Sequence, residues 1–276
     1  MPVRIVQSNQ NARLKELRRA LAQPGRAEGG RAGIEGPKLI EEALRSGLAV
    51  PCVFVAQESQ RLLDELRLPP ETEVLLLPKA LLDSALTTET PQLVAALVEA
   101  PQWTWAHLLG PQKSRAALVV VLAGLQDPGN VGTIVRSAEA FGATGVVSLP
   151  GTVSEWNPKA VRASAGSVFR MPVIATDERK CFGQLREAGM KVLATTIRKA
   201  ELDLDFDMTG PTALIIGNEG SGVPMEIAAM ADGAITIPCP GPVESLNAAV
   251  ATSVLLYEAS RQRAAKSPTP KSRSAR

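Results

Sequence analysis

Two short apolar runs near the end of the chain, residues 213–216 and 234–237, each break off into a loop that neither helix nor strand can absorb. Ala213, Leu214, Ile215 and Ile216 form a continuous apolar stretch, the pattern of a strand buried on both faces of a parallel sheet. It runs into Gly217–Asn218–Glu219–Gly220–Ser221–Gly222, whose glycines permit close backbone approach and positive φ. That loop ends at Val223–Pro224, and proline suits the first turn of a helix. The second run stops at Pro238, and Pro240, Gly241 and Pro242 follow. Ser245, Leu246 and Asn247 then open a long apolar helix, with Ser245 or Asn247 placed to cap it. The pattern predicts two strand ends carrying shaped loops side by side, where open α/β sheets bind ligands.

Three readings compete for this stretch. Ordinary strand–loop–helix turns are the plainest. A dinucleotide fold is disfavoured, because GNEGSG lacks the G-x-G-x-x-G spacing and lies late in the chain. The third is a resemblance. A GxEGxG loop at residues 217–222, then Ile237–Pro238 and Ser245–Leu246–Asn247, resembles motifs two and three of the SpoU/TrmH class of SPOUT RNA 2′-O-ribose methyltransferases. Upstream, the valine-rich run 116–123 reads as a buried strand, followed by turn chemistry at Asp127–Pro128–Gly129–Asn130 and a helix over 131–141 closed by Gly142. Asp127, Pro128, Asn130, Gly132, Ile134, Arg136, Ser137 and Ala138 match motif one of the same class; Thr133 stands where alanine is frequent. Ala165–Gly166–Ser167 and Met171–Pro172–Val173 resemble its S-A-G…P-V segment.

The 276 residues suggest two domains of ordinary size, and 45% hydrophobic content supports sizeable cores. With only 3% aromatic residues, those cores rest on Leu, Val, Ala and Ile. A net charge of +2 permits an RNA partner without arguing for one. Cys52, Cys181 and Cys239 are far apart and His107 is alone, so neither a zinc site nor a disulfide framework is expected, which fits a reducing cytoplasm. The opening residues hold no apolar leader, and no run reaches membrane-spanning length.

Residues 8–22 read as a basic helix, capped by Ser8 or Asn9, with Leu14, Leu17 and Leu21 on one face. Arg13, Lys15, Arg18 and Arg19 crowd the remainder, either a solvated face or a phosphate contact. A glycine-rich turn is expected over 25–33, a helix over 39–46 opened by Gly36–Pro37–Lys38, strands at 50–56 and 73–77, a helix at 60–66, and helical or mixed pieces at 79–86 and 92–98. Lys38 is either a plain helix lysine or an RNA contact. This alternation makes a small α/β domain of about one hundred residues, and its order resembles the L30e-like substrate-binding domain that precedes many SpoU/TrmH domains. Trp103 and Trp105 fall in the junction at 101–115 and would share a side if the chain there is extended; His107 reads as structural. Later come helices at 157–163 and 179–188, a strand at 192–196, an exposed acidic loop at 201–207 and a last helix at 246–263. The expected division is a substrate-binding domain at 1–105, a linker at 106–115, a methyltransferase domain at 116–264 and a disordered basic tail at 265–276.

The resemblance implies an α/β fold whose C-terminal domain is a deep trefoil knot on a mostly parallel sheet, working as a homodimer. It implies S-adenosylmethionine as cofactor, at Thr195, Gly217, Asn218, Gly220, Ile237, Pro238 and Leu246. It implies catalysis by Arg136, with Asn130, Glu219, Ser245 and Asn247 positioning the guanidinium and the ribose. A guanidinium seldom gives up its proton. Two roles stay open for Arg136: the base, or the group that polarises the hydroxyl and orients a phosphate that takes the proton. Arg13, Lys15, Arg18 and Lys38 are the RNA-binding candidates, and no metal is needed. Large-subunit ribosomal RNA is the expected substrate, transfer RNA the alternative, and a non-catalytic RNA-binding or ribosome-assembly role the competing class.

Overall fold

The computed structural model describes residues 1–23, 30–88, 90–110, 116–196, 206–243 and 245–266. It divides into two compact units, one of Met1–Trp103, Asp127–Arg136 and Val153–Met171, the other of Thr104–Gln126, Ser137–Thr152 and Pro172–Arg276. Most of the glycine-rich turn, the acidic loop and the basic tail fall outside the described residues.

The first unit is built on strands β1 (Val3–Ile5), β2 (Arg31–Glu35), β3 (Cys52–Ala56), β4 (Glu73–Leu77) and β5 (Val94–Glu99), in the order β1-β4-β3-β5-β2. β4 pairs in parallel with β1 and β3, while β5 lies antiparallel between β3 and β2. Residues 92–98, expected as helical or mixed, are therefore mostly strand, because a continuous apolar run gains most when sheet neighbours flank it. β2 likewise occupies part of the expected glycine-rich turn. Helices α1 (Ala12–Ala22), α2 (Pro37–Arg45), α3 (Leu62–Glu65) and α4 (Lys79–Asp83) complete the unit. Asn11, rather than Ser8 or Asn9, caps α1: its Oδ1 accepts from Leu14 N at 3.2 Å. Leu14, Leu17 and Leu21 bury their stripe with Phe54, Leu75, Leu77 and Leu97.

After α5 (Trp105–Leu109) come β6 (Leu118–Ala123), α6 (Pro128–Ala140), β7 (Gly145–Ser148), α7 (Pro158–Ser164), β8 (Val173–Ala175), α8 (Glu178–Glu187), β9 (Lys191–Thr195), β10 (Thr212–Gly217), α9 (Met225–Ala228), β11 (Gly233–Ile235) and α10 (Ala248–Lys266). The junction stretch is partly helical, so the tryptophans do not alternate along a strand. Leu108 is fully buried in the second unit's core, and His107 Nδ1 accepts from Thr104 N at 2.9 Å in a capping box. All strand pairs of the second sheet are parallel, in the order β11-β9-β10-β6-β7-β8. β9 thus separates β10 from β11, so the two shaped loops are next-but-one neighbours and the end of β9 lies between them.

Helix α10 buries Ala249, Thr252, Leu255, Leu256 and Ala259, while Val250, Val254 and Tyr257 stand 49%, 42% and 57% exposed. Val250, Val254 and Tyr257 therefore do not cover the protein's own sheet. At the helix's other end, the Arg263 guanidinium donates to the carbonyls of Ala116 (2.6 Å), Ala117 (3.1 Å), Met208 (2.8 Å) and Gly210 (2.7 Å). That fork fixes α10 across the amino ends of β6 and β10.

Candidate active site

Parallel strands end on one edge, so the loops after β6, β9, β10 and β11 all leave the second sheet on the same side. The loop after β10 is held by Asn218. Its backbone pairs with Gly222 in both directions, Asn218 N donating at 3.0 Å and Gly222 N at 2.9 Å. Its Oδ1 accepts from Gly220 N at 2.9 Å and Ser221 N at 3.2 Å, and its Nδ2 donates to Gly124 O at 2.9 Å. A single side chain therefore folds the glycine loop and ties it to the end of β6. Gly217 must be glycine for the same reason: a Cβ there would lie 2.1 Å from Gly222 C and Val223 N.

Glu219 is exposed, and its Oε2 accepts from Gln126 N and Asn218 Nδ2, each at 3.4 Å. Thr195 ends β9 and donates its hydroxyl to Ile215 O at 2.9 Å. Ile237 and Leu246 are half-buried, Pro238 and Ser245 exposed, all between β11 and α10. Asn247 caps α10, its Oδ1 accepting from Ala249 N at 2.9 Å and Val250 N at 3.2 Å. Its acceptor is thus committed to the fold. Half-buried Ile237 and Leu246 beside backbone-rich loops suit a flat apolar ring with polar edges, such as adenine.

Arg136 and Asn130 ride on α6, which follows β6. Pro128 begins that helix and Asp127 Oδ1 accepts from Gly129 N at 2.9 Å. Asn130 is buried, whereas Arg136 is exposed next to a packed stripe of Ile134, Val135 and Ala138. Ser137 on the same helix shares a 2.8 Å hydrogen bond with Ser253 of α10.

The RNA-binding candidates divide. Lys15 and Lys38 are exposed. Arg13 instead pairs with Glu16 at 2.9 Å and Glu73 at 3.4 Å, and the hydrogen bond to Glu16 is the main reason its pKa is raised. Burial pushes the Glu16 carboxyl up, but its bonds to Arg31 and Arg13 outweigh that and hold it below its ordinary value. Arg18 donates to Asn9 O at 3.2 Å and Ser84 Oγ at 2.8 Å. Both arginines tie α1 to its own unit. The sequence also gave no sign of Gly124 and Gln126 in the site, since they serve through backbone atoms that every residue carries.

An open parallel sheet with two shaped loops at its carboxyl edge places the chain among the α/β proteins, whose ligands generally bind at that edge. Residues 117–257 match the SpoU rRNA Methylase family, and residues 11–96 match the MRM3-like substrate binding domain. The chain is 31% identical over 256 residues to the 23S rRNA (guanosine(2553)-2′-O)-methyltransferase RlmP of Bacillus subtilis, covering 91% of this chain and 97% of the relative. It is 32% identical to a 23S rRNA (uridine(2479)-2′-O)-methyltransferase of Streptomyces viridochromogenes, covering 93% and 92%. Among solved structures, the SpoU methyltransferase AviRb from Streptomyces viridochromogenes in complex with AdoMet superimposes with a TM-score of 0.79 at 31% identity, over 92% of this chain and 99% of that one. An AdoMet-bound rRNA methyltransferase from Sinorhizobium meliloti gives 0.77 at 29% identity, over 94% and 98%. The chain belongs to the SpoU rRNA methylase family.

Proposed function

We propose that this protein is an S-adenosylmethionine-dependent methyltransferase that modifies a ribose 2′-hydroxyl of 23S ribosomal RNA. The observation that carries this is the loop pair after β10 and β11, in a chain that covers nearly all of a 23S rRNA 2′-O-methyltransferase. Transfer RNA is a second reading, favoured by relatives named only as tRNA/rRNA methyltransferases.

S-adenosylmethionine supplies an activated methyl group on a sulfonium. Gly217, Asn218, Gly220, Ile237, Pro238, Leu246 and Thr195 would hold it, Ile237 and Leu246 offering apolar walls and the loop backbone offering polar groups. The exposed guanidinium of Arg136 acts as a hydrogen-bond donor. In that role it orients the attacking hydroxyl and a neighbouring phosphate, which takes the proton as the oxygen attacks. Asn130, Glu219, Ser245 and Asn247 position the ribose and the guanidinium.

We take residues 1–105 as the RNA-gripping domain, 116–264 as the transfer domain wound into a trefoil knot, and 265–276 as a basic tail. Lys15 and Lys38, more than Arg13 and Arg18, meet phosphates. The exposed face of α10 pairs two copies, and three free cysteines fit a reducing cytoplasm. Among the described residues no helix is long and apolar enough to cross a membrane. Arg136→Ala is expected to lower transfer of tritiated methyl groups to 23S rRNA by about a hundredfold or more, with cofactor affinity by calorimetry within about twofold. Unchanged turnover would remove Arg136 from the chemistry. Label appearing in tRNA and not in rRNA would select the second reading.

A further inference from the structure

The first unit joins two parts of the chain that the family matches separate: the strands and helices of residues 1–103, and the segments 127–136 and 153–171. Arg170 makes the joint. Its Nη1 donates to Glu42 Oε1 and, at 2.9 Å, to Ser46 Oγ. Ser46 Oγ in turn donates to Glu42 O at 2.7 Å, so the receiving end of α2 is itself fixed. Beside them, a Cβ on Gly166 would lie 2.2 Å from Glu42 Cγ, so only glycine lets the backbone come this close. The segment behind Arg170 is stiff: Trp156 and Phe169 stack at 6.0 Å, and Met171 N donates to Ser167 O at 2.8 Å. α7 packs on β2 and also meets α6, where a Cβ on Gly132 would lie 2.2 Å from Ala160 O and 2.7 Å from Ala163 Cβ.

A continuous line of close contacts therefore runs from α2, which carries exposed Lys38, through Glu42, Arg170, Gly166 and α7 to Gly132 on the helix that bears Asn130 and Arg136. Glu42 and Arg170 side chains are 26% and 37% exposed, so the pair is partly shielded from screening, and Arg45 at 3.7 Å is the competing cation on Glu42.

We infer that Glu42 and Arg170 are positioning residues that lock the RNA-gripping elements in register with helix α6. The pair sets where bound RNA presents its ribose, and takes no part in cofactor binding. This rests on the methyltransferase reading above.

Glu42→Arg, Arg170→Glu and the double exchange, each in the full chain, test it. Each single reversal is expected to lower kcat/KM for 23S rRNA on the order of tenfold. The S-adenosylmethionine Kd stays within about twofold, and the double exchange, which restores an opposite-charge pair, recovers most of the loss. Hydrogen exchange of α2 and of residues 158–171 reads the joint without turnover: both segments exchange faster in each single variant and slow again in the double. Single variants with unchanged exchange, or a double variant no better than the singles, overturn the inference. A wild-type protein that methylates no RNA sinks the functional reading instead, while the exchange data still decide the joint.

Discussion

Gly217→Ala is the sharpest perturbation of the site. The added Cβ would sit 2.1 Å from Gly222 C and Val223 N and 2.4 Å from Gly222 O. Carbon atoms make ordinary contact at about 3.5 Å, so the backbone at residues 222–223 must retreat by more than about 1 Å. Gly222 is the residue whose N–H and carbonyl pair with Asn218 at 2.9 and 3.0 Å, and that retreat takes both bonds out of range. Losing two backbone hydrogen bonds costs about 2 kcal/mol in the ordered loop. If cofactor binding must reorder the loop, that cost appears as about a thirtyfold weaker S-adenosylmethionine Kd. Isothermal calorimetry measures it, with circular dichroism to show that the sheet remains. Gly183→Ala on α8 is the control: nothing outside its own helix lies within 4 Å of its Cβ, so affinity should change by less than about twofold. A Gly217→Ala protein that binds cofactor as tightly as wild type would show that this loop does not shape the pocket.

Asn247→Asp should keep the α10 cap and the melting temperature while lowering kcat, because the acceptor survives and the amide donor does not; Asn247→Ala should lower both, with the cap worth about 1 kcal/mol in thermal unfolding. Iodoacetamide at neutral pH should label half-buried Cys239 in the native protein and spare Cys52 and Cys181, with mass spectrometry counting all three after denaturation. Burial pushes both buried thiols up to about 12, so their contribution to stability is complete below the ordinary value of 9.0 and is lost as pH rises from there toward 12. The unfolding free energy from urea titrations should fall over that window by up to about 1.4 kcal/mol per pH unit per thiol, a limb that Cys52→Ala with Cys181→Ala should flatten. Val254→Lys with Tyr257→Glu should convert a sedimenting dimer to monomer, with monomer stability lowered only by about 1 kcal/mol through loss of the edge-on Phe141–Tyr257 contact; a wild-type monomer at micromolar concentration would refute the pairing face.

What could be read from the sequence was what neighbours along the chain decide. β4 matches its predicted bounds, and β6, β9 and β10 fall within a residue or two of theirs, because a strand buried on both faces announces itself by composition alone. The glycine loop was visible for the same local reason, though the cause of Gly217 was not: the atoms that exclude a side chain there belong to residues 222–223, folded back by Asn218. Partners distant in sequence were invisible. Nothing local places β9 between β10 and β11, or assigns 94–99 to a strand between β3 and β2. Arg13 and Arg18 look identical on paper to Lys15, yet carboxylates and a carbonyl folded in from elsewhere engage them, so a basic helix face overstates the charge offered to RNA. The pair Glu42 and Arg170 lies 128 residues apart, and either alone reads as an ordinary surface charge. Local pattern thus identifies the shaped loops proposed to hold the cofactor, because such a loop is built mostly from consecutive residues. The proposed register between α2 and helix α6 is a long-range property, and Glu42 and Arg170 are residues a motif search passes over.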